Sequence, residues 1–434
     1  MNKRIAELTN LVLEGKMCPE KQTVEYDRRD LFLDKDTRDA KRIYEYVTAQ
    51  KPVLTRYSLM TGLFSFDGTV PGDAMSTSGL KHTGEMYNNF YCKPIDDIST
   101  YGWQHATADY SMIIRKGIGG FIEDIEKSKV NHQGDEKAVN FLNALKTVAQ
   151  ALIAWAHKCS KEAFSFAQTL ENEEKENLLK LSETLKKIPQ KPAETFYEAI
   201  LSIYVCFSYD PDSLGTLDRT LYEFYKKDIE KGILTKNLAK EYLQELFLML
   251  QARIPRQWSN FTRGGESHFC VGGYLPDGTD GFNELSMLIL EALMELPTYI
   301  PQISLRWTKK LPFETFKKVM DFERNDKNKR IAFVNDEVKM HGIMHIADFT
   351  YEQACRYTSV GCNEVAFPGG MVGGSANANG AHSIQNVFYE RTDDVLKTTS
   401  FDEFFAIYKE ELERDLIKII DYDNKYNLVR SRDT

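Results

Sequence analysis

The sequence predicts an α/β protein whose first half is mainly helical and whose second half alternates short strands with helices. Three observations predict it. Up to about residue 207, apolar residues recur every three or four positions, the spacing of one helix face. After residue 210, short apolar runs alternate with amphipathic stretches long enough for helices. Strands separated by such helices need crossover connections, which implies parallel pairing.

The elements follow in order. Within Asn140 to Cys159, the residues Phe141, Leu145, Val148, Leu152, Trp155 and Cys159 make one apolar helix face. The stretch ENEEKENLLK from Glu171 is charged on nearly every side and reads as a solvated helix. Pro189 and Pro192 end the pattern, and a helix from about Ala193 to Phe207, apolar almost all round, reads as deeply buried. Strands are expected over His268–Leu275, Tyr299–Trp307 and Ile331–Asn335. Helices are expected over Phe282–Leu296 and Phe313–Arg324, and a last one over roughly Phe401–Tyr422. Between Val360 and His382, the glycines at 361, 369, 370, 373 and 374 argue against regular structure and allow close backbone approach.

A chain of 434 residues can bury one large core or two moderate ones, and no repeat or Pro/Gly/Ser-rich linker divides it. With 42% hydrophobic and 27% charged residues, disorder is excluded as the main theme. The 22 Tyr and 25 Phe suit a thick core or an enclosed pocket. The net charge of −9, from 55 basic and 64 acidic residues, argues against a nucleic-acid partner. No apolar run is long enough to span a bilayer, and the start MNKRIAELTN has no apolar export core, so no membrane role is expected. Seven scattered Cys without a CxxC pair make no disulfide framework and point to a reduced cytoplasm.

Gly361-Cys362-Asn363-Glu364 is the most informative stretch, since it places a carboxylate two residues from a thiol on a glycine-rich loop. Taken alone, Cys362 is either a nucleophile with a base beside it or a small buried hydrophobe. His341 and His345 would share a helix face. They lack the intervening Glu of a zincin and the several further ligands a metal site needs, so no metal is expected. Val271-Gly272-Gly273-Tyr274 lacks the context of a phosphate loop and, with the turn Pro276-Asp277-Gly278, reads as structural.

Several segments, in order, resemble the glycyl radical enzyme superfamily that includes pyruvate formate-lyase. His105-Ala106-Thr107-Ala108-Asp109-Tyr110 is similar to the family's HxxxDY element. Gly215-Thr216-Leu217-Asp218-Arg219, leading to Tyr222-Glu223-Phe224-Tyr225, resembles its GRxDQYxxPxY element. Gly272-Gly273, Asp277-Gly278 and Asn283-Glu284-Leu285-Ser286 resemble its GGxxxDGxDxxNELS stretch. Gln302 to Arg306, Phe333 to Asp336 and Gly361 to Glu364 complete a series covering about residues 100 to 395.

The resemblance implies part of a ten-stranded α/β barrel. Residues 1–210 would be mainly helical, and 211–434 would be a parallel half-barrel with Cys362 on a hairpin loop inside. It implies that a glycyl radical, installed by an S-adenosylmethionine iron–sulfur activating enzyme, oxidises Cys362 to a thiyl that removes a substrate hydrogen atom. Pyruvate formate-lyase-like members carry two adjacent Cys, whereas Asn363 follows Cys362 here. The Cys-x-Glu pattern resembles the eliminases, in which Glu364 would be the general base. Asp210 matches a substrate-holding position of related dehydratases or is a turn residue of the YDPD sequence. His105 and Asp109 are pocket residues or a helix-start network, and Phe269 is a pocket wall or core. Where glycerol- and choline-type members carry a GWHD-like or aromatic element, this chain has Gly373 to Asn379, with Asn377 and Asn379 as candidate hydrogen-bonding groups. Their substrates therefore do not carry over.

No RVxGY loop holding a radical glycine is found in the 434 residues. The glycyl radical domain is therefore expected on a missing carboxy-terminal segment, without which the chain would be inactive. A complementary chain or homo-oligomer is expected to cover the open barrel. The leading expectation is the thiyl-bearing part of a radical dehydratase or C–N/C–O lyase acting on a small polar substrate. Alternatives are a catalytically silent binding or scaffold domain and acyl transfer of the formate acetyltransferase kind.

Overall fold

The computed structural model describes residues 2–20, 22, 24–25, 27–61, 99–101, 104–209, 212–253, 267–361, 363–373 and 376–432. They fall into two compact units, Met1–Met75 with His105–Met371, and Ser76–Gln104 with Val372–Thr434.

The first unit begins with helices α1 (Lys3–Leu13), α2 (Lys35–Ala49), α3 (Tyr110–Asn131), α4 (Glu136–Ala167), α5 (Asn172–Leu185) and α6 (Phe196–Phe207). The caps follow the sequence: Asn2, Asp34, Asp109, Asp135 and Thr195 each accept a backbone N–H of the first turn. In α4 the predicted face is buried from Ala149 to Ala167, around Trp155 and Cys159, but Phe141 is 51% exposed. Its first turns extend past the core. Helix α5, expected to be solvated all round, buries Leu178, Leu181 and Leu185, and Ser160 of α4 donates to the Ser182 carbonyl at 2.8 Å. Three leucines outweigh the charged majority, each contributing about 1.5–3 kcal/mol on full burial. Every residue of α6 except Glu198 is buried, as its all-round apolar sequence requires.

The sheet consists of β1 (Ser213–Thr216), β2 (His268–Gly272), β3 (Ile303–Trp307) and β4 (Ile331–Asn335), hydrogen-bonded in chain order and parallel throughout. The crossovers are α7 (Leu217–Glu230) with α8 (Lys236–Ala252), then α9 (Glu284–Met294), then α10 (Phe313–Asn325). Register is set by pairs such as Phe269 with Ile303 and Ile303 with Ile331. The strand predicted from Tyr299 starts only at Ile303, because Pro301 offers no N–H to a ladder.

The motif residues interlock beneath this sheet. Asp218, fully buried at the start of α7, accepts from the Gly272 N–H (2.8 Å) and from the Ser286 hydroxyl of α9 (2.5 Å). Burial pushes its carboxyl above the usual range, and the bonds to Ser286 and Gly272 oppose that shift. Gly273 has φ +84°, and a Cβ on it would lie 2.6 Å from Arg306 Nε and 2.9 Å from an Arg219 nitrogen, so two guanidinium groups fill the space of its missing side chain.

Arg306 pairs with Asp336, the first residue of α11 (Asp336–Ala347), at 2.8 Å with both side chains fully buried. Asp336 also accepts from the Tyr274 N–H (2.6 Å) and the Tyr357 hydroxyl (2.7 Å). Burial alone would raise the Asp336 carboxyl, but Arg306 overrides it and holds it below the usual range.

The second unit pairs strand Ser99–Tyr101 antiparallel with strand Ala376–Ala378. Its helices include α12 (Gly380–Glu390) and α13 (Phe401–Arg432), joined where Ser383 donates to Asp415 at 2.8 Å. The last helix runs ten residues beyond its predicted end at Tyr422, since no Gly or Pro follows to stop it.

Candidate active site

The glycine-rich stretch is more regular than its composition predicts. Strands β5 (Thr358–Val360) and β6 (Glu364–Ala366) form an antiparallel hairpin, with Thr358 opposite Ala366, Ser359 opposite Val365 and Val360 opposite Glu364. Thr358, Val360 and Val365 are β-branched and suit a pleated strand, so the glycines mark only the turns. Gly361 (φ +50°) and Asn363 (φ +90°) turn the chain, and the Asn363 N–H closes on the Val360 carbonyl at 3.0 Å.

Two histidines meet the hairpin tip. His105 lies against Gly361 so closely that a Cβ there would be 2.1 Å from Nε2. Its other nitrogen, Nδ1, is 2.9 Å from both carboxylate oxygens of Asp212, which also accepts from the Ala106 N–H at 2.6 Å. The carboxylate thus orients the ring through Nδ1 and turns Nε2 toward the tip.

His268, at the start of β2, is buried. Its Nδ1 donates to the Gly361 carbonyl at 2.8 Å, and its Nε2 lies 2.8 Å from the Ser304 hydroxyl of β3. Ser304 Oγ is in turn 2.7 Å from Asn363 Oδ1, and Lys339 of α11 donates to the Asn363 carbonyl at 3.0 Å. Burial holds the His268 imidazole below its ordinary pKa, opposed by the Gly361 bond and by the charges of Asp212 and Glu364. Glu364 opens β6 half-buried, two residues past position 362.

Of the residues the sequence nominates, His105 and Glu364 sit at this hairpin. Cys362 and Asp210 lie outside the described residues. Asp109 is the N-cap of α3, accepting from the Met112 N–H at 3.0 Å. Phe269 is completely buried and its ring stacks on Phe247 of α8, with centroids 5.9 Å apart. Asn377 and Asn379 belong to the second unit, Asn377 opposite Thr100 in a strand and Asn379 as the N-cap of α12. His341 and His345 are exposed on α11, and among the described residues no cluster of His, Cys, Asp or Glu is arranged to hold a metal.

Sequence reasoning missed Asp212, His268, Ser304 and Lys339. A signal existed for two of them: His268 and Ser304 are polar residues inside strands otherwise read as core, and buried polar groups need partners.

The family profile described as "PFL-like: Pyruvate formate lyase-like" matches residues 75–428. The chain belongs to the pyruvate formate lyase-like family. Within this family it is 27% identical over 360 residues to isethionate sulfite-lyase of Bilophila wadsworthia, covering 72% of this chain and 41% of that one. It is also 27% identical over 272 residues to trans-4-hydroxy-L-proline dehydratase of Clostridioides difficile, covering 58% of this chain and 34% of that one. A solved structure titled for 1,2-propanediol dehydration in Roseburia inulinivorans superposes with a TM-score of 0.82 at 20% identity, over 99% of this chain and 64% of that one. That likeness shows the glycyl radical enzyme fold. The chain spans about two fifths or less of the length of these two curated relatives. Among the described residues, no helix of this pyruvate formate lyase-like chain is long and apolar enough to cross a membrane.

Proposed function

We propose that this chain is the thiyl-bearing portion of a glycyl radical eliminase, a dehydratase or related lyase acting on a small polar substrate. The observation that carries the reading is the hairpin. Its tip is spelled Gly361-Cys362-Asn363, Glu364 opens the following strand, and buried polar side chains grip the residues on either side of position 362. Similarity to a sulfite-lyase and a dehydratase supports elimination as the reaction class. Asn363 in place of a second Cys argues against acyl transfer, which needs one sulfur for the acyl group and another for the radical.

The tip fits a radical partner because His105 and His268 pack directly on Gly361 and limit the room for water beside it. A glycyl radical, installed by an activating enzyme on a segment outside these 434 residues, supplies the unpaired electron. Cys362, having lost its hydrogen atom, takes one from a substrate C–H bond. Glu364 takes the proton of the adjacent substrate hydroxyl, and the electron density left on that oxygen expels the neighbouring leaving group. Cys362 then returns its hydrogen atom to the product radical. His105, oriented by Asp212, is placed to hold a substrate oxygen, and Asp210 is a further candidate for that task.

The test is anaerobic co-expression with a radical-bearing segment and an activating enzyme, followed by electron paramagnetic resonance and a screen of small diols, hydroxy acids and amino alcohols in D2O. The expected result is turnover, and deuterium entering the substrate, with Cys362 present and neither with Cys362→Ala. Turnover by Cys362→Ala would overturn the assignment.

A further inference from the structure

We propose that His268 is a positioning residue that holds both neighbours of position 362, Gly361 directly and Asn363 by way of Ser304. The proposal rests on the role given to Cys362 above, and its importance is that a hydrogen-atom transfer tolerates little error in where the acceptor atom sits.

The geometry is a continuous chain of short contacts. The Gly361 carbonyl, His268 Nδ1, His268 Nε2, Ser304 Oγ and the Asn363 amide follow one another at 2.8, 2.8 and 2.7 Å across the ring and the hydroxyl. His268 and Ser304 sit on adjacent parallel strands and are both buried, so their positions are set by the sheet. Asn363 needs such a grip, because a non-glycine residue at φ +90° persists only where its surroundings enforce it. Its carbonyl is fixed as well, by Lys339.

Counting hydrogens shows how the chain closes. The Gly361 carbonyl can only accept, so Nδ1 carries a proton in every state. With the ring charged, Nε2 donates to Ser304 and the hydroxyl donates to Asn363 Oδ1. With the ring neutral, the hydroxyl's only hydrogen goes to Nε2, and Asn363 must turn its amide to present Nδ2 to Ser304. Protonation of His268 therefore reverses the amide beside position 362. Asp212 and Glu364 face the ring as acids, and His105 as a second base. Lys339 sits beyond Asn363.

The test uses the 434-residue chain without radical or substrate, reading hydrogen exchange of residues 358–366 by mass spectrometry. Ser304→Ala is expected to speed hairpin exchange about tenfold, the effect of one net hydrogen bond, while exchange in β2 and β3 and the melting temperature stay near wild type. Ser304→Thr, which keeps the hydroxyl, restores protection. Asn363→Gly, which relieves the backbone but lacks the amide, matches Ser304→Ala. Corrected for intrinsic rates, wild-type hairpin exchange changes as pH is lowered below the ordinary imidazole range and that of Ser304→Ala does not. Wild-type protection in Ser304→Ala and Asn363→Gly, or a Ser304→Thr as loose as Ser304→Ala, overturns the proposal. A gripped tip in a complete enzyme that still turns over with Cys362→Ala would instead overturn the function assigned to Cys362 and leave the grip standing.

Discussion

The imidazole of His105 stands where a side chain on Gly361 would go, with Nε2 2.1 Å from the position of a Cβ. The glycine is therefore required by a neighbour 256 residues earlier in the chain as well as by its own φ of +50°. Gly361→Ala is expected to cost about 1–3 kcal/mol, from overpacking and backbone strain together. In a His105→Ala background the overpacking part disappears and about 1 kcal/mol of backbone cost remains. Urea unfolding of the four proteins of this cycle checks it; equal costs in both backgrounds would mean that the two residues do not touch.

Glu364→Gln is expected to leave melting temperature and deuterium exchange into substrate intact, and to lower turnover about 10²- to 10⁴-fold, the usual contribution of a general base. The separation matters because the proposed mechanism gives the hydrogen-atom step to Cys362 and the proton step to Glu364. Steady-state rates beside isotope exchange in the activated enzyme give the measurement, and unchanged turnover removes Glu364 from the mechanism.

Asp336→Asn is expected to destabilise the chain by about 3–5 kcal/mol, since it leaves the fully buried Arg306 guanidinium without its counter-charge. The wild-type pair also carries a pH signature. The Asp336 carboxyl is held below its usual range in the folded state, so its stabilising contribution is present at neutral pH and lost as pH falls below about 4. Equilibrium unfolding from pH 7 downward reads both effects, and a loss under about 1 kcal/mol in the variant would show that the pair is dispensable.

His268 gives a second acid-side dependence, at higher pH. Burial lowers its folded pKa relative to the unfolded chain, so the unfolded state binds more protons as pH falls through about 6.5. Its contribution is complete above that value and declines below it. The wild-type melting temperature is expected to drop between about pH 7 and 5.5, and that of His268→Asn to drop less. Parallel profiles would contradict a buried, largely neutral ring.

Much of the architecture was legible because it is local. Ile331 to Asn335 and the alternation of apolar runs with amphipathic helices announce parallel strands, and the all-apolar run from Phe196 to Phe207 announces burial. The hairpin was implied only by the family resemblance and was hidden from composition, because Gly361, Gly369 and Gly370 dominate it while the β-branched Thr358, Val360 and Val365 that pair are few. The proton network was hidden for another reason. Asp212, His268 and Ser304 meet the tip across 59 to 149 residues of chain, and no short-range pattern reports which polar strand residue faces which loop. The spelling of Gly361 to Glu364 singled out this hairpin, and only the fold shows what holds it.

The anchors of Tyr357 and Ser359 are scattered: Arg306 donates to the Tyr357 carbonyl at 2.6 Å and Ser213 to the Ser359 carbonyl at 3.2 Å. Both anchors precede the hairpin in the chain, so a ribosome releases nearly the whole first unit before the hairpin that docks on them emerges. Contacts of such long sequence separation are slow to form, so this hairpin is assembled last, on a scaffold already in place.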